Sequence, residues 1–350
     1  MSGFFSGERT LPARAGVVGR LAPSPTGHMH LGNAWAFLLA WWAARKAGGR
    51  VILRMEDIDP DRARAAWATD LIEDMRWLGL DWDAGPGSDP GTDPGAGLAG
   101  RGPFIQSARG AVYAQALEHL AAGGHTYPCF CTRRELRALA GAPHVDDIGA
   151  PYPGTCRDLS AEQQAVRRAE LAAVGRKPCV RLRCPGGRPW RFADALQGPQ
   201  SHTLEACGGD FALCRSDGVV AYQLAVVVDD ALMGVNQVVR GRDILPSTPR
   251  QLYVQELLGA PALAYAHVPL LCDAAGERLA KRHASLSLRA LRACGVAAAQ
   301  VVGFLAHRAG LREAPAPCLP QEVLPGFAWE RLPRADVCLP GDVAAALKAV

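Results

Sequence analysis

The residues that decide the fold are Gly16-Val17-Val18-Gly19-Arg20-Leu21-Ala22-Pro23-Ser24-Pro25-Thr26-Gly27-His28-Met29-His30-Leu31-Gly32-Asn33. The β-branched pair at its start, followed by a turn rich in proline and glycine, predicts a buried strand. Residues 33–47 have helical composition and end at Gly48-Gly49, where a helix is expected to stop. Residues 51–55 form a second apolar run. The order strand, turn, helix, strand predicts an α/β fold with a doubly wound parallel sheet of Rossmann type.

Two later apolar runs, Tyr222 to Val228 and Asn236 to Arg240, are interpreted as further strands of this sheet. Between the two halves lies a segment rich in cysteine, arginine and proline, which is interpreted as an inserted module. The tail is rich in Ala, Leu and Arg and predicts helices. The expected domains are residues 1–110 (first half of the catalytic domain), 111–200 (inserted zinc-binding, RNA-contacting module), 201–260 (second half) and 261–350 (mostly helical C-terminal part). Helices are also predicted at 70–78 and 113–122, and an aperiodic loop at 84–102.

Composition restricts the class of protein. The chain has 350 residues and a formal net charge of +4, which permits an RNA partner without indicating one. Its 11 cysteines are odd in number and no signal peptide opens the sequence, so reduced thiols are expected. The most apolar run, Ala34 to Ala44, is about half the roughly 20 residues that a membrane-spanning helix needs. A cytoplasmic protein without a membrane partner is therefore predicted.

The turn before the first helix is a candidate nucleotide site. A glycine-containing turn at a helix N-terminus lets phosphates approach unpaired N–H groups and the positive end of the helix dipole. His30 could donate a hydrogen bond to a phosphate or ribose oxygen, and Gly32 leaves room for the nucleotide. A bare His-x-Gly string is more often a plain turn with an incidental histidine, so the surrounding sequence is needed to assign a nucleotide-binding role.

Three strings resemble the glutamyl- and glutaminyl-tRNA synthetases. Residues 22–32 resemble the family signature, with the start of its HIGH motif standing as His30-Leu31-Gly32-Asn33. Residues 54–60, Arg-Met-Glu-Asp-Ile-Asp-Pro, resemble a second family stretch, and residues 227–259 resemble the second half-domain. The resemblance covers about residues 16–285 and implies a class I synthetase fold. It also implies a KMSKS-type loop at residues 278–282, where Arg278 replaces the first lysine and Ala280 the serine.

The resemblance implies sites for glutamate and for ATP with Mg²⁺. Glutamate carries two carboxylates and one ammonium, so arginines and an acid are the expected partners. Lys281 would stabilise charge on the departing pyrophosphate, and His30 would act with it as a catalytic residue. Each residue alone could be structural, for example as a surface ion pair. The implied glutamate-binding residues are Arg20, Leu21, Ala22, Pro23, Ser24, Glu56, Tyr222 and Arg240, and those for ATP are Pro23, His30, Gly32, Asn33, Arg278 and Lys281.

A zinc site is expected in the inserted module. A Cys-x-Cys string is a weak signal because free cysteines are common in cores. The inserted position and the string Tyr-Pro-Gly-Thr-Cys at 152–156 resemble the glutamyl-Q tRNA(Asp) synthetases, which implies one structural zinc ion. The implied ligands are Cys129, Cys131, Tyr152 and Cys156. His144, Cys179 and Cys184 remain rivals for the fourth position.

The short stretch after Lys281 bears on the acceptor. A glutamyl-tRNA synthetase normally carries a large helical anticodon-binding region there, for which this stretch is too short. We therefore expect the glutamyl-Q type, which activates glutamate without tRNA and transfers it to queuosine in the anticodon of tRNA(Asp). The alternatives are a truncated glutamyl-tRNA synthetase that charges tRNA(Glu), and a non-catalytic zinc RNA-binding protein on a synthetase scaffold. A monomer is expected.

Overall fold

The computed structural model describes residues 4–5, 16–87, 101–132, 134–136, 151–279 and 286–350. The strands are β1 (Val18–Leu21), β2 (Arg50–Leu53), β3 (Thr126–Cys129), β4 (Cys179–Leu182), β5 (Pro189–Asp194), β6 (Gly198–Thr203), β7 (Phe211–Cys214), β8 (Gln237–Gly241), β9 (Ala264–Val268), β10 (Leu271–Cys272) and β11 (Val337–Cys338). The α-helices are α1 (Leu31–Lys46), α2 (Ala65–Trp77), α3 (Gly110–Ala122), α4 (Ala161–Ala173), α5 (Tyr222–Met233), α6 (Thr248–Leu258), α7 (Leu288–Ala293), α8 (Ala298–Arg308), α9 (Pro320–Val323) and α10 (Val343–Lys348). Short 3-10 helices cover Gln106–Arg109, Arg242–Ser247, Leu324–Gly326 and Trp329–Arg331.

A parallel arrangement of β2, β1, β8 and β9 forms the centre of the molecule. β1 pairs with β2, and β8 pairs with β9 so that Arg240 lies opposite His267. β1 and β8 are joined through Asn236, whose N–H donates to the Val18 carbonyl at 3.0 Å and whose side-chain oxygen accepts from the Val18 N–H at 2.8 Å. The parallel α/β sheet predicted from the sequence is therefore confirmed.

The strand β5 extends this sheet beyond β9. It is parallel to β9, with Asp194 opposite Tyr265, and it forms an antiparallel hairpin with β6. The carboxyl end of β5 thus meets the amino-terminal half of β9. This brings Asp194 beside residues that lie about 70 positions further along the chain.

The predicted helix at residues 33–47 is confirmed as α1, which is buried on nearly all sides. Its tryptophans Trp35, Trp41 and Trp42 are almost fully buried. The Trp42 indole N–H donates to the Pro320 carbonyl at 2.9 Å, so the helical tail packs on α1. A helix that is apolar all round is a core helix in a globular protein. Among the described helices, none is long and apolar enough to span a bilayer.

One predicted strand is wrong. Residues 222–228 begin α5, which runs to Met233 and ends at Gly234 in the left-handed conformation with φ of 70°. A continuous apolar run suits a buried helix as well as a buried strand, and periodicity cannot separate the two. The strand predicted at 236–240 is confirmed as β8, and the predicted helices near 70–78 and 113–122 are α2 and α3. Of the predicted loop 84–102, residues 88–100 lie outside the described residues.

The cysteine-rich segment has its own small core. β3, β4 and β7 form an antiparallel sheet in which Cys129 lies opposite Cys179. A compact cluster under this sheet contains Tyr127, Phe130 and Leu171 together with cysteine side chains. The four predicted domain ranges remain predictions.

Candidate active site and cysteine cluster

A buried network of one arginine and three carboxylates lies where β2 ends beside α5. The fully buried Arg54 donates through Nη1 to Asp230 Oδ1 at 2.6 Å and through Nη2 to Glu56 Oε1 at 3.0 Å. Its Nε lies 3.9 Å from Asp229 Oδ2. Burial by itself lowers the pKa of Arg54, but the three carboxylates outweigh it and raise that pKa. Arg54 therefore stays charged, and its hydrogen bond holds Glu56 in one orientation.

Glu56 faces the turn that follows β1. Its N–H donates to the Pro23 carbonyl at 2.9 Å, and its side chain is 10% exposed. Burial raises the pKa of this carboxyl, although Arg54 and Arg20 act in the opposite direction. Arg20 at the end of β1 donates to the Val239 carbonyl at 2.9 Å and lies 4.0 Å from Asp230. Burial lowers the pKa of Arg20, and the Asp230 carboxylate opposes that effect.

Arg240 is held from three sides. Its Nε donates to His267 Nε2 at 3.0 Å, its Nη2 to Thr248 Oγ1 at 2.8 Å and its Nη1 to the Tyr222 hydroxyl at 3.3 Å. Arg20 is close enough to interact electrostatically with both Arg240 and Tyr222. The structure thus brings together four of the predicted residues, Arg20, Glu56, Tyr222 and Arg240, which we call the arginine site.

The arginine site matches the charges of an amino acid with an acidic side chain. Two guanidinium groups can each form a forked pair with a carboxylate, and one carboxylate can accept from an ammonium. The residues between β1 and the turn border it: Leu21 and Pro23 are buried, Ala22 is half-buried and Ser24 is exposed. The Leu21 carbonyl accepts from the Arg54 N–H at 2.9 Å, which ties this edge to the network below.

His30 lies directly before the first turn of α1. Its N–H donates to Asn33 Oδ1 at 3.2 Å, and its carbonyl accepts from the Asn33 N–H at 2.9 Å. A Cβ added at Gly32 would lie 3.0 Å from the imidazole of His30, so glycine lets the ring lie against the helix. The positive end of the helix dipole is directed at this point, which favours an anion. His30, Gly32 and Asn33 are therefore close together, as predicted.

The predicted KMSKS-type loop is only partly described. Arg278 is half-exposed and pairs with Asp243 at 2.5 Å, and the buried Leu279 donates its N–H to the Leu271 carbonyl at 3.0 Å. Asp243 follows β8, so the start of the loop is tied to the strand that carries Arg240. Lys281, with the rest of the loop at 280–285, lies outside the described residues.

The second candidate site is a cluster of three thiols and one phenol, formed by Cys129, Cys131, Tyr152 and Cys156 and called here the cysteine cluster. The three sulfurs lie within 4.8 Å of one another and could hold a metal ion. Cys131 Sγ is 3.6 Å from Cys156 Sγ, and the Tyr152 hydroxyl is 3.4 Å from Cys129 Sγ and 3.9 Å from Cys131 Sγ. The Cys156 N–H donates to the Tyr152 oxygen at 2.8 Å. All four predicted ligands are brought together.

Of the rival ligands that the structure describes, one adjoins the cysteine cluster and the other has a different partner. Cys179 lies opposite Cys129, and its thiol hydrogen bond is the main influence that lowers the pKa of Cys129 to about 4, against the effect of burial. Cys184 is engaged elsewhere, because its Sγ donates to the Gly209 carbonyl at 3.3 Å. His144 lies outside the described residues. Among the described residues, Cys179 is thus the rival that adjoins the cluster.

Several residues that support the arginine site were not predicted from the sequence. Arg54, Asp229 and Asp230 lay within quoted motifs without a role, although charges inside apolar runs are a signal for a buried network. His267 and Asp194 carried no such signal. A separate open cavity of about 970 Å³ lies beside β5 and α6 and includes Trp190 and Phe192 in its wall, but none of the predicted site residues line it.

Similarity to known proteins identifies the family of this chain. The family model described as tRNA synthetases class I (E and Q), catalytic domain, matches residues 16–323. A protein of Nitratidesulfovibrio vulgaris named Glutamyl-Q tRNA(Asp) synthetase is 57% identical over 95% of this chain and 98% of its own length. A Glutamate--tRNA ligase 2 of Acidithiobacillus ferrooxidans is 43% identical over 90% of this chain and 63% of its own. The crystal structure of a glutamate-tRNA synthetase from Elizabethkingia anophelis is similar in fold, with a TM-score of 0.77 at 23% identity over 95% of this chain and 70% of that one.

Proposed function

We propose a specific reaction for this chain, which belongs to the class I tRNA synthetases for glutamate and glutamine. It is a synthetase-like ligase, and its family uses ATP with Mg²⁺ and acts on tRNA. The proposed reaction is activation of glutamate to glutamyl-adenylate without tRNA, followed by transfer to the queuosine base in the anticodon of tRNA(Asp). The observation that carries the first step is the proximity of two arginines and one carboxylate in the arginine site, where Arg20 interacts electrostatically with both Glu56 and Arg240.

In the first step an oxygen of the glutamate α-carboxylate attacks the α-phosphorus of ATP. The bond from that phosphorus to its bridging oxygen breaks, and pyrophosphate leaves with the electron pair. No protein nucleophile is required, so the residues act by orientation and charge. Arg20 and Arg240 would bind the carboxylates, Glu56 would accept from the ammonium, and Tyr222 with the backbone of residues 21–24 would complete the walls.

The nucleotide would lie along the first turn of α1. Pro23, His30, Gly32 and Asn33 would bind ATP, with His30 directed at a phosphate or ribose oxygen. Lys281 and Arg278 would stabilise the negative charge that develops on pyrophosphate, as preorganised cations do in other transition states. Mg²⁺ bound to phosphate oxygens would neutralise part of this charge.

The cysteine cluster would hold one structural zinc ion. Tetrahedral zinc with Zn–S bonds of about 2.3 Å and a Zn–O bond of about 2.0 Å puts neighbouring sulfurs roughly 3.8 Å apart and sulfur and oxygen roughly 3.5 Å apart. The observed separations of 3.6 Å between Cys131 and Cys156 and of 3.4 Å between Cys129 and Tyr152 fit these values. Four protein ligands leave no position for substrate, so the ion would brace the module.

The braced module would contact the tRNA. Its helix α4 and the segment after it carry the exposed cations Arg167, Arg168 and Lys177. Lys and Arg side chains on such a surface suit the phosphate backbone. This proposal assigns residues 111–200 to RNA contact and leaves activation to the α/β sheet.

The choice of acceptor rests on the Nitratidesulfovibrio relative, whose full length is matched almost entirely. A second candidate function, charging of tRNA(Glu), is favoured by the match to the Acidithiobacillus ligase. Both candidates share the activation step and differ in the nucleophile. In the first case a queuosine hydroxyl would attack the adenylate. In the second case a hydroxyl of the terminal ribose of tRNA(Glu) would attack it.

The experiment has two stages. Glutamate-dependent exchange of labelled pyrophosphate into ATP is measured first without tRNA, and exchange is expected. Labelled glutamate and ATP are then supplied with tRNA(Asp) from cells that make queuosine, tRNA(Asp) from cells that cannot, or tRNA(Glu). Labelling of only the queuosine-containing tRNA(Asp) supports the proposal. Labelling of tRNA(Glu) in preference supports the second candidate, and no exchange at all would refute the activation step.

A further inference from the structure

The orientation of Arg240 depends on a chain of buried side chains behind it. Arg240 is paired with His267 across β8 and β9, and its Nε donates to His267 Nε2 at 3.0 Å. Thr248 Oγ1 lies 3.1 Å from the same nitrogen and accepts from Arg240 Nη2 at 2.8 Å. His267 and Thr248 are both 0% exposed. Nε and Nη2 of the guanidinium are therefore bound to buried side chains, while Nη1 reaches the half-buried Tyr222, another of the implied glutamate-binding residues.

Asp194 in turn orients His267. Its Oδ2 lies 2.6 Å from His267 Nδ1, and the same carboxylate accepts from the His267 backbone N–H at 3.0 Å. Its Oδ1 accepts from the N–H groups of Leu196 at 3.0 Å and Gln197 at 2.8 Å. A carboxylate with this many backbone donors cannot rotate without losing them. The imidazole is thus fixed at one end by the turn after β5.

The hydrogen bonds have only one consistent direction. A carboxylate accepts and does not donate, so the Asp194 contact requires the proton on Nδ1 of His267. Nε2 of the neutral ring then carries a lone pair and accepts from Arg240. Burial and the nearby Arg240 charge lower the pKa of His267 to about 4, so the ring is neutral at pH 7. Asp194 thereby selects the tautomer whose free nitrogen faces the guanidinium.

We propose that Asp194 and His267 are positioning residues for Arg240, and through it for a carboxylate of the substrate. The inference rests on the proposed function, in which Arg240 binds glutamate. A direct pair between Asp194 and Arg240 would neutralise the guanidinium, whereas a neutral imidazole between them orients the group and leaves its charge for the ligand. The residues come from β5, β8 and β9, so the strand register decides the alignment.

The main test is Asp194→Asn, which preserves shape and replaces one acceptor by an N–H donor. The N–H groups of Leu196 and Gln197 hold the Asn oxygen at the position of Oδ1, so that its amide N–H faces Nδ1 of His267. Nδ1 then accepts, its proton moves to Nε2, and two donors face each other at Arg240. The KM for glutamate in tRNA-independent pyrophosphate exchange is expected to rise about 10- to 100-fold, because a binding group faces a mismatched partner. The KM for ATP should change by less than about threefold, since the mismatch is expected at the group that binds a glutamate carboxylate.

The matched control is Asp74→Asn, which makes the same isosteric change at another buried aspartate. Asp74 lies in α2 and is paired with Arg292. This variant should leave the KM for glutamate within about threefold of wild type. An equal rise in both variants, or an unchanged KM for glutamate in Asp194→Asn, would overturn the inference. Absence of glutamate-dependent exchange in the wild-type protein would refute the proposed function instead, so the two failures are distinguishable.

A pair of variants at His267 covers the case in which Asp194→Asn does not fold. His267→Gln keeps an acceptor at the position of Nε2, and His267→Asn keeps a donor at the position of Nδ1. Positioning of Arg240 predicts a larger rise in the KM for glutamate in His267→Asn than in His267→Gln. A merely structural role predicts equal changes, or the reverse order, and either result would contradict the inference.

Discussion

The arginine site and the cysteine cluster are both built from ionisable side chains, but they are stabilised in different ways. The arginine site is supported by the buried network beside it, in which Arg54 bridges Glu56 and Asp230 at 3.0 and 2.6 Å. In the cysteine cluster, the sulfurs of Cys131 and Cys156 lie 3.6 Å apart. The guanidinium of Arg181 lies over the Tyr152 ring of this cluster, 3.9 Å from its centre. Ion pairs fix the side chains of the first region, whereas the second region has three sulfurs close enough together to hold a metal ion, as proposed above. Removing a charge should therefore damage the first region, and removing a metal ion the second.

The largest effect is expected from Arg54→Met. It leaves Glu56, Asp229 and Asp230 buried beside one another without their shared cation. Breaking a buried ion pair from one side costs about 3–5 kcal/mol, so the free energy of unfolding should fall by that amount in urea titrations followed by tryptophan fluorescence. The control Arg167→Met removes an exposed pair with Glu170 and should cost less than about 1 kcal/mol. Equal losses would show that the buried network does not stabilise the fold.

The second largest effect is expected at Lys281, the cation proposed to stabilise charge on the departing pyrophosphate. Lys281→Ala should slow glutamate-dependent pyrophosphate exchange by roughly 10²-fold or more, the size expected when one preorganised charge is lost. Zinc content and the unfolding midpoint should stay as in the wild type. Lys348→Ala, an exposed lysine at the end of α10, is the control and should exchange normally. An unchanged rate in Lys281→Ala would mean that the loop has another role.

A smaller effect on catalysis is expected when the metal is removed. Cys131→Ser should reduce bound zinc from about one ion per chain to almost none, because a serine hydroxyl is a poor replacement for a thiolate ligand. Amide hydrogen exchange should quicken in β3, while pyrophosphate exchange without tRNA changes by less than about threefold. The exposed Cys294 supplies the control Cys294→Ser, with full zinc content expected. Freshly purified wild-type protein without zinc would refute the metal proposal.

The smallest effect should distinguish the fourth ligand. Tyr152→Phe keeps the ring beneath Arg181 and removes only the oxygen. Zinc should remain bound by three thiolates and water, with its affinity reduced roughly tenfold or more in competition with a chelator. If the affinity is unchanged in Tyr152→Phe and falls in Cys179→Ser, Cys179 and not Tyr152 is the fourth ligand.

The sequence was informative wherever a structure depends on neighbours along the chain. The turn, the start of α1 and the position of His30 and Gly32 follow from local hydrogen bonds and from the space that glycine leaves. β1, β2 and β8 were predictable as short apolar runs next to turns. The helix at residues 222–228 was not predictable, because a buried helix and a buried strand can have the same continuous apolar sequence. Only packing against α3 and α6 determines which of the two forms.

What the sequence by itself determined was the set of charged and sulfur-bearing residues and the local turns that carry them. Only the tertiary structure decided which of these residues meet. Asp194 and His267 are 73 positions apart, and the contact between Arg54 and Asp230 spans 176. The first contact depends on the order and register of β5 and β9, where a shift of one residue would turn each side chain to the other face of the sheet, and the second depends on how α5 packs beside the end of β2. Local sequence patterns do not specify such contacts between distant segments. Glu56 and Arg240 could therefore be named from motifs, but the residues that hold them in place could not.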